Sequence, residues 1–270
     1  MCGAMWGIRL LRLALLLIFT ITAPRAAATP APAPAGWAVL MEHNTFHGRY
    51  PDLPVGFINS TRMLTALMRH GWPADHILLM RDVHNPKALS DAVGWLASHA
   101  RPGEVAVFYV AGEYRFLESD LMWDATFPKL WPSIPTSNRV LIAETCFAER
   151  LTDAAKSTSG MGLPAVGREE LDWWGVRNRG GLIRGGTFTF FLAGALAAQP
   201  DGAPLEFTAA FAQAVAGARD YFRTVIASTP GALDAFHAQG SFPERLTAFP
   251  NPRLAQGFDD PAPPAAIAPP

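Results

Sequence analysis

The residue in this sequence best placed to do chemistry is Cys146, in the stretch LIAETCFAERL. An apolar run over residues 141–143 ends at the acid Glu144, and the cysteine follows two positions later. A strand that ends in this way places its thiol at the rim of a sheet. A thiolate is a nucleophile when its surroundings lower the cysteine pKa. The alternative is that Cys146 is a small buried hydrophobic residue without a chemical role.

Three other side chains could act on that thiol. His43 and His47 lie in a loop after the first predicted strand, and Glu113 follows Gly112 at the end of the third. An imidazole could take the thiol proton, and a carboxylate could orient that imidazole. Alternatively, both histidines are solvated loop residues. As metal ligands they would need a helix and a third ligand, so no metal and no cofactor is predicted.

Short apolar runs alternate with helical patterns, and these elements must position the candidate residues. The predicted strands are residues 37–41, 76–80, 104–112, 139–144 and 162–166, and the predicted helices are residues 58–71, 86–100, 187–198 and 205–226. This alternation predicts an α/β three-layer sandwich, with a mostly parallel central sheet and helices on both faces. In such sheets, ligands bind beyond the carboxyl ends of the strands. The loops 42–49, 112–116 and 145–149 should therefore meet at one edge.

The ends of the chain differ from the middle in composition. Residues 1–28 combine basic residues, a short apolar core and a small-residue end, which predicts a secretory signal peptide and an exported, periplasmic or extracellular protein. Contact with a membrane is expected only if this segment stays uncleaved. A Pro/Ala linker follows over residues 29–36, one domain is predicted over residues 37–248, and residues 249–270 should form a Pro/Ala-rich disordered tail.

Charge and cysteine content limit the partners. Residues 1–28 contain three arginines and no acid, so the mature chain would carry a net charge of −4. This charge disfavours a nucleic-acid partner, which normally needs a basic face. Cys2 would leave with the signal, and Cys146 would then have no cysteine with which to form an internal disulfide.

Three segments together resemble the caspase, metacaspase and legumain group of cysteine peptidases. In that group one strand ends in a Ser-Gly-His-Gly-like turn, a later strand ends in Asp-x-Cys, and a Gly-Gly-x-Phe-Thr segment opens a helix. The corresponding segments here are FYVAGEY, LIAETCFAE and RGGTFTFFLAGAL. The similarity spans residues 37–196 and implies a caspase-like fold.

The resemblance implies roles for particular residues. Cys146 matches the nucleophile, which would form a thioester, and Glu144 matches the acid that helps to receive a basic side chain before the cut bond. Backbone N–H groups near Cys146 and Gly112 would stabilise the oxyanion. The catalytic histidine should follow Gly112, but Glu113 occupies that position, and Tyr114 replaces the second glycine. A carboxylate there disfavours the thiolate.

Two hypotheses follow for a peptide or protein substrate. In the first, His43 or His47 is a relocated base, Glu113 orients it, and the protein is a cysteine endopeptidase. In the second, the base is lost, and the protein is an inactive peptidase homologue that binds peptides or proteins. An unrelated hydrolase on a similar sheet is a third alternative.

Overall fold

The computed structural model describes residues 36–53, 55–156, 159–168, 172, 174–175, 183–226 and 255–256. The predicted signal peptide and almost all of the linker lie outside these residues. No helix in the described part of the chain is both long enough and apolar enough to cross a membrane.

The described strands and helices follow the predicted alternation. The strands are Trp37–Glu42 (β1), Ile77–Arg81 (β2), Ala106–Ala111 (β3), Arg139–Glu144 (β4), Met161–Pro164 (β5), Trp174–Gly175 (β6), Gly185–Gly186 (β7) and Ala255–Gln256 (β8). The α-helices are Ile58–Arg69 (α1), Ala88–His99 (α2), Tyr114–Ser119 (α3), Trp123–Leu130 (α4), Ala148–Lys156 (α5), Thr187–Ala197 (α6) and Phe207–Tyr221 (α7).

The main sheet has the strand order β2-β1-β3-β4-β5-β8, and β1 to β5 are all parallel. Every residue of β3 and β4 is buried. Strands buried on both faces read as continuous apolar runs, which explains why VAVFYVA and VLIA lack alternation. The predicted fold class, a mostly parallel sheet with helices around it, is confirmed.

Helices cover both faces of the sheet. Helix α1 packs against α6, and α6 packs against α7, while α2, α4 and α5 contact one another in sequence. The chain leaves β1 in one direction for β2 and then crosses back to β3, so right-handed connections place α1 and α2 on opposite faces. The point of reversal, between β1 and β3, is where open parallel sheets usually bind ligands.

Three helices lie where no helix was predicted. The predicted loops 112–116 and 145–149 run directly into α3 and α5, and α4 follows α3. Helix α3 has only six residues, too few to show a helical repeat, and α4 contains Pro128. Aromatic side chains nevertheless pack α4 against the sheet. The rings of Trp123 and Phe127 stack with their centroids 4.2 Å apart, and both contact Phe108 of β3.

The predicted disordered tail needs one correction. Ala255 and Gln256 form β8, which pairs antiparallel with Gly162 and Met161 at the edge of the sheet. The outer edge of β5 has backbone N–H and C=O groups that no other described strand pairs, and β8 pairs with this edge. A two-residue strand held by such pairing is too short to show a pattern in the sequence. The remaining residues of the predicted tail lie outside the described residues.

Candidate functional site

Cys146 lies at the carboxyl end of the sheet, as its place after β4 predicts. The strand ends at Glu144, and the turn into α5 passes through Phe147, whose φ is 55°. The cysteine is partly exposed, and its Sγ accepts a hydrogen bond from the backbone N–H of Asp172 at 3.4 Å. The thiol therefore faces the edge where the strand-end loops gather.

The surroundings of Cys146 favour the neutral thiol. The pKa of Cys146 is raised to about 12, first because burial removes water from around the thiolate. The carboxylate of Asp172 raises it further, and the more weakly acting Glu113 pushes in the same direction. Among the described residues, the charged groups that act on the sulfur are thus two acids.

Glu113 begins α3. It is the N-cap residue, and its Oε1 accepts a hydrogen bond from the backbone N–H of Arg115 at 3.4 Å. This contact is long, but a carboxylate at this position also interacts favourably with the positive end of the helix dipole. Burial raises the Glu113 pKa. Glu113 consequently has a structural role in starting α3 besides its place near Cys146.

Ala111 and Gly112, at the end of β3, are hydrogen-bonded to the ends of both neighbouring strands. The N–H of Gly112 donates to the carbonyl oxygen of Glu144 at 3.2 Å, while the N–H of His43 donates to the carbonyl of Ala111 at 2.9 Å. The φ of Gly112 is 153°, and an added Cβ would lie 3.2 Å from the His43 carbonyl oxygen. A larger residue would push the turn after β3 away from the turn after β1.

His43 is fully buried and is held on the β2 side of the site. Its Nε2 lies 3.0 Å from the carbonyl oxygen of Val83, so Nε2 carries the hydrogen. Its ring packs against Phe116 at 4.8 Å and against His84 at 5.9 Å. Burial lowers the His43 pKa to about 4, which keeps the imidazole neutral.

His47 belongs to the same group of rings. It is exposed, its φ is 51°, and its ring centroid lies 4.4 Å from that of His84. The structure therefore brings His43 and His47 together with His84, which lies just beyond β2. None of the six histidines in the described residues has a hydrogen bond or ring contact with Cys146; the seventh, His237, is outside them.

Glu144 is enclosed by protein. Its carboxyl is fully buried, accepts a hydrogen bond from the N–H of Thr189 in the first turn of α6, and lies directly beneath Gly186. Burial, and next the adjacent carboxyl of Asp172, raise its pKa well above the ordinary value. The residue expected to receive a basic side chain thus anchors α6 to β4 in this structure.

Glu42, at the end of β1, serves α1 in the same way. Its two carboxyl oxygens accept hydrogen bonds from the backbone N–H groups of Asn59, at 3.4 Å, and Ser60, at 2.8 Å. In both cases a strand-end carboxyl satisfies N–H groups that a helix leaves unpaired at its start. The two buried acids therefore attach α1 and α6 to the same edge of the sheet.

Three residues near the site were missed by sequence reasoning. His84 could have been found, because it follows β2 just as His43 follows β1. Asp172 and Arg62 carried no usable signal: Asp172 reaches Cys146 across 26 positions of sequence, and Arg62 is an ordinary helix residue that acts electrostatically on Glu144. No group of three His, Cys, Asp or Glu side chains within the described ranges is placed to hold a metal ion.

Comparison with known proteins supports the fold. No protein-family model matches the chain, and no curated protein matches it. Among solved structures, caspase-1 from Spodoptera frugiperda is similar, with a TM-score of 0.53 and 11% sequence identity over 84% of this chain and 88% of the caspase. This similarity confirms the caspase-like fold that the three sequence segments predicted. At this level of identity it shows the fold alone, and activity must be argued from the site.

Proposed function

We propose that the chain is a caspase-fold protein that binds a peptide or protein partner without cleaving it. The observation that carries this proposal is the pair of carboxyl groups, Glu113 and Asp172, that acts on the partly buried thiol of Cys146. Both disfavour the thiolate, which is the form that attacks a carbonyl carbon. A caspase-like site built in this way retains its position at the sheet edge but lacks an activated nucleophile.

The contacts of the two candidate bases support the same conclusion. The Nε2–H of His43 donates to the Val83 carbonyl and leaves Nδ1 as the basic nitrogen, but burial lowers the pKa of this imidazole to about 4, which makes it a weak base. His47 packs against His84. Both side chains are thus engaged on the β2 side of β1, whereas Cys146 lies beyond β3, at the end of β4. A relocated base would require one of these imidazoles to reach the sulfur, with which neither has a hydrogen bond or ring contact among the described residues.

A catalytic alternative has one observation in its favour. Cys146 follows β4 at the carboxyl edge of a caspase-like sheet, close in the fold to the turn that follows β3. The N–H of Gly112 donates to the Glu144 carbonyl, so other backbone N–H groups near Cys146 and Gly112 would have to stabilise an oxyanion. In that alternative the protein is a cysteine endopeptidase that acts through a Cys146 thioester. The preference for a basic residue before the cut bond stays a prediction.

Cleavage of a mixed fluorogenic peptide library distinguishes the two functions. We expect no Cys146-dependent cleavage by the wild-type protein, and we expect Glu113→His to introduce a slow cleavage that the matched variant Glu113→Gln does not show. The double variant Glu113→His with Cys146→Ser should be inactive again. If wild-type protein cleaves peptides and Cys146→Ser abolishes that cleavage, the non-catalytic proposal is wrong.

A further inference from the structure

A solvent-open groove runs between α1 and α6, on the face of the sheet opposite α2. Its volume is about 570 Å³, and small residues form much of its lining, among them Gly194, Ala197 and Ala198, which are exposed or half-buried. Phe190 and Phe191 contribute aromatic surface, and Phe190 is 40% exposed. Small residues allow another chain to approach closely, and this volume lies in the range of ligand pockets. The groove could therefore take a few bulky side chains.

Arg62 supplies the cation in the groove lining. One of its terminal nitrogens donates to the carbonyl oxygen of Arg184 at 2.7 Å, and its guanidinium lies 4.9 Å from the centre of the Phe190 ring. No other hydrogen bond from this guanidinium is found among the described residues. A guanidinium has five N–H donors in a planar fork that matches a carboxylate. Arg62 is therefore available for an anion.

The acids that act on Arg62 are not hydrogen-bonded to its guanidinium in the described residues. Glu144 and Glu42 act electrostatically on Arg62, but both are fully buried and hydrogen-bonded to the first turns of α6 and α1. No carboxyl side chain lines the groove in the described part of the chain.

Further positive charge lies around the groove. Arg69 is seven positions after Arg62 on α1 and so lies on the same side of that helix. Arg69 is exposed, and its ion pair with Asp201, at 3.9 Å, is a weak surface contact. Arg184, also exposed, lies beside Arg62. The groove thus combines an apolar floor with a basic border, although the chain as a whole is slightly acidic.

We propose that this groove binds a segment of a partner protein in which bulky apolar side chains stand beside an Asp or Glu carboxylate. The apolar side chains would cover Phe190, Gly194 and Ala198, which are exposed, and the carboxylate would pair with Arg62. Grooves between two helices commonly receive such amphipathic segments. The inference rests on the proposed binding function, and it places binding on the α1–α6 face instead of at Cys146.

The two exposed glycines Gly194 and Gly94 give a matched test. A Cβ at either position would meet no atom within 4 Å, and both lie within helices, so leucine at either site should be tolerated and should favour the helix. Gly194 lies in the groove, whereas Gly94 lies on α2, on the other face of the sheet. Gly194→Leu fills the groove, and Gly94→Leu is the control.

The experiment selects peptides from a random display library on the full chain and measures the enriched peptides by fluorescence polarisation. We expect enriched sequences to combine Leu, Phe or Trp with Asp or Glu. Gly194→Leu should weaken their binding by more than about tenfold, Arg62→Gln by about tenfold, and Gly94→Leu by less than about twofold. Added salt should weaken binding to the wild type more than to Arg62→Gln.

The possible failures point to different errors. If enriched peptides bind Gly194→Leu as tightly as the wild type, or if they are predominantly basic, the groove is not the site, but peptide binding elsewhere stands. If no peptide is enriched, the groove proposal is overturned together with the peptide-binding function. Loss of binding in Gly94→Leu as well would show that the effect of leucine at 194 is not local, and it would overturn the assignment to the groove.

Discussion

The reactivity of Cys146 offers the most direct test of the site. A free cysteine thiol has a pKa of about 8.5 and is about one-tenth thiolate at pH 7.5. With its pKa raised to about 12, Cys146 would be thiolate in only about three molecules per hundred thousand at that pH. The thiolate population is thus lower by a factor of about 3,000.

Part of this deficit is recovered, because a more basic thiolate is a stronger nucleophile. With a Brønsted coefficient of about 0.45, the difference between the two pKa values increases the intrinsic rate by about 40-fold. Alkylation of Cys146 by iodoacetamide at pH 7.5 should therefore be about 80-fold slower than that of a free thiol, before any effect of limited access. Its rate should keep rising with pH up to at least pH 10.

The assay uses the Cys2→Ser protein, in which Cys146 is the single thiol, and follows alkylation by intact-protein mass spectrometry. The same chain unfolded in guanidinium chloride supplies the reference rate. Glu113→Gln removes one nearby negative charge and should raise the folded rate by about two- to threefold, because burial is the larger cause of the shift. Glu118→Gln, an exposed acid on the same helix, is the control and should leave the rate unchanged.

A folded rate equal to the unfolded rate, or an inflection below pH 8.5, would refute this reasoning. Equal rates would mean that the fold leaves the thiol unperturbed, and an inflection below pH 8.5 would mean that a base or a cation acts on the sulfur. In the second case, replacing His43 and His47 in turn would identify which imidazole is responsible.

Three further outcomes follow from the buried polar groups. The pKa of His43 falls from an ordinary 6.5 to about 4 on folding. Between these pH values the imidazole is protonated in the unfolded chain and neutral in the native state, so the free energy of unfolding decreases as pH falls from 6.5 to 4. Chemical denaturation at several pH values should show about 3 kcal/mol of acid destabilisation that is absent in His43→Gln. Glu144→Ala should lower the free energy of unfolding by about 2–3 kcal/mol, because the N–H of Thr189 loses its acceptor in a buried position. Glu144→Gln should lower it by under about 1 kcal/mol, since a neutral amide oxygen can accept the same hydrogen bond. Equal losses in the two variants would contradict the anchoring role of Glu144. Gly186→Ala should lower the melting temperature markedly or prevent folding, because the added Cβ would overlap the Glu144 carboxyl. The control Gly94→Ala should raise the free energy of unfolding by about 0.5–1 kcal/mol. Similar effects of the two variants would show that the backbone at β7 can move away from β4.

Local pattern was enough to predict the five parallel strands of the sheet. The runs that became β3 and β4 are continuously apolar, and their spacing by helical segments left a parallel sheet as the simple solution. The same pattern placed Cys146 at the carboxyl edge, because a residue just beyond a parallel strand must lie there. Helices α3 and α4 escaped notice, since they are short and are held by aromatic packing against β3.

The surroundings of the thiol could not be predicted in the same way. The sequence predicts that His43, Gly112 and Cys146 follow strands that end at one edge of the sheet. It does not predict the direction in which each side chain points. In the structure, the carbonyl of Val83 turns the His43 ring towards β2, and Asp172 returns from a distant part of the chain to donate its N–H to the sulfur.

The sequence by itself thus determined the five parallel strands, the longer helices between and after them and the position of one cysteine, because these depend on hydrophobic period and chain connectivity. The tertiary structure decided the chemistry. Whether a thiol ionises depends on how much water surrounds it and which charges lie within a few ångströms, and whether Glu144 meets a ligand or a helix depends on where α6 packs. Both are consequences of contacts between residues far apart in the chain, which no local pattern encodes.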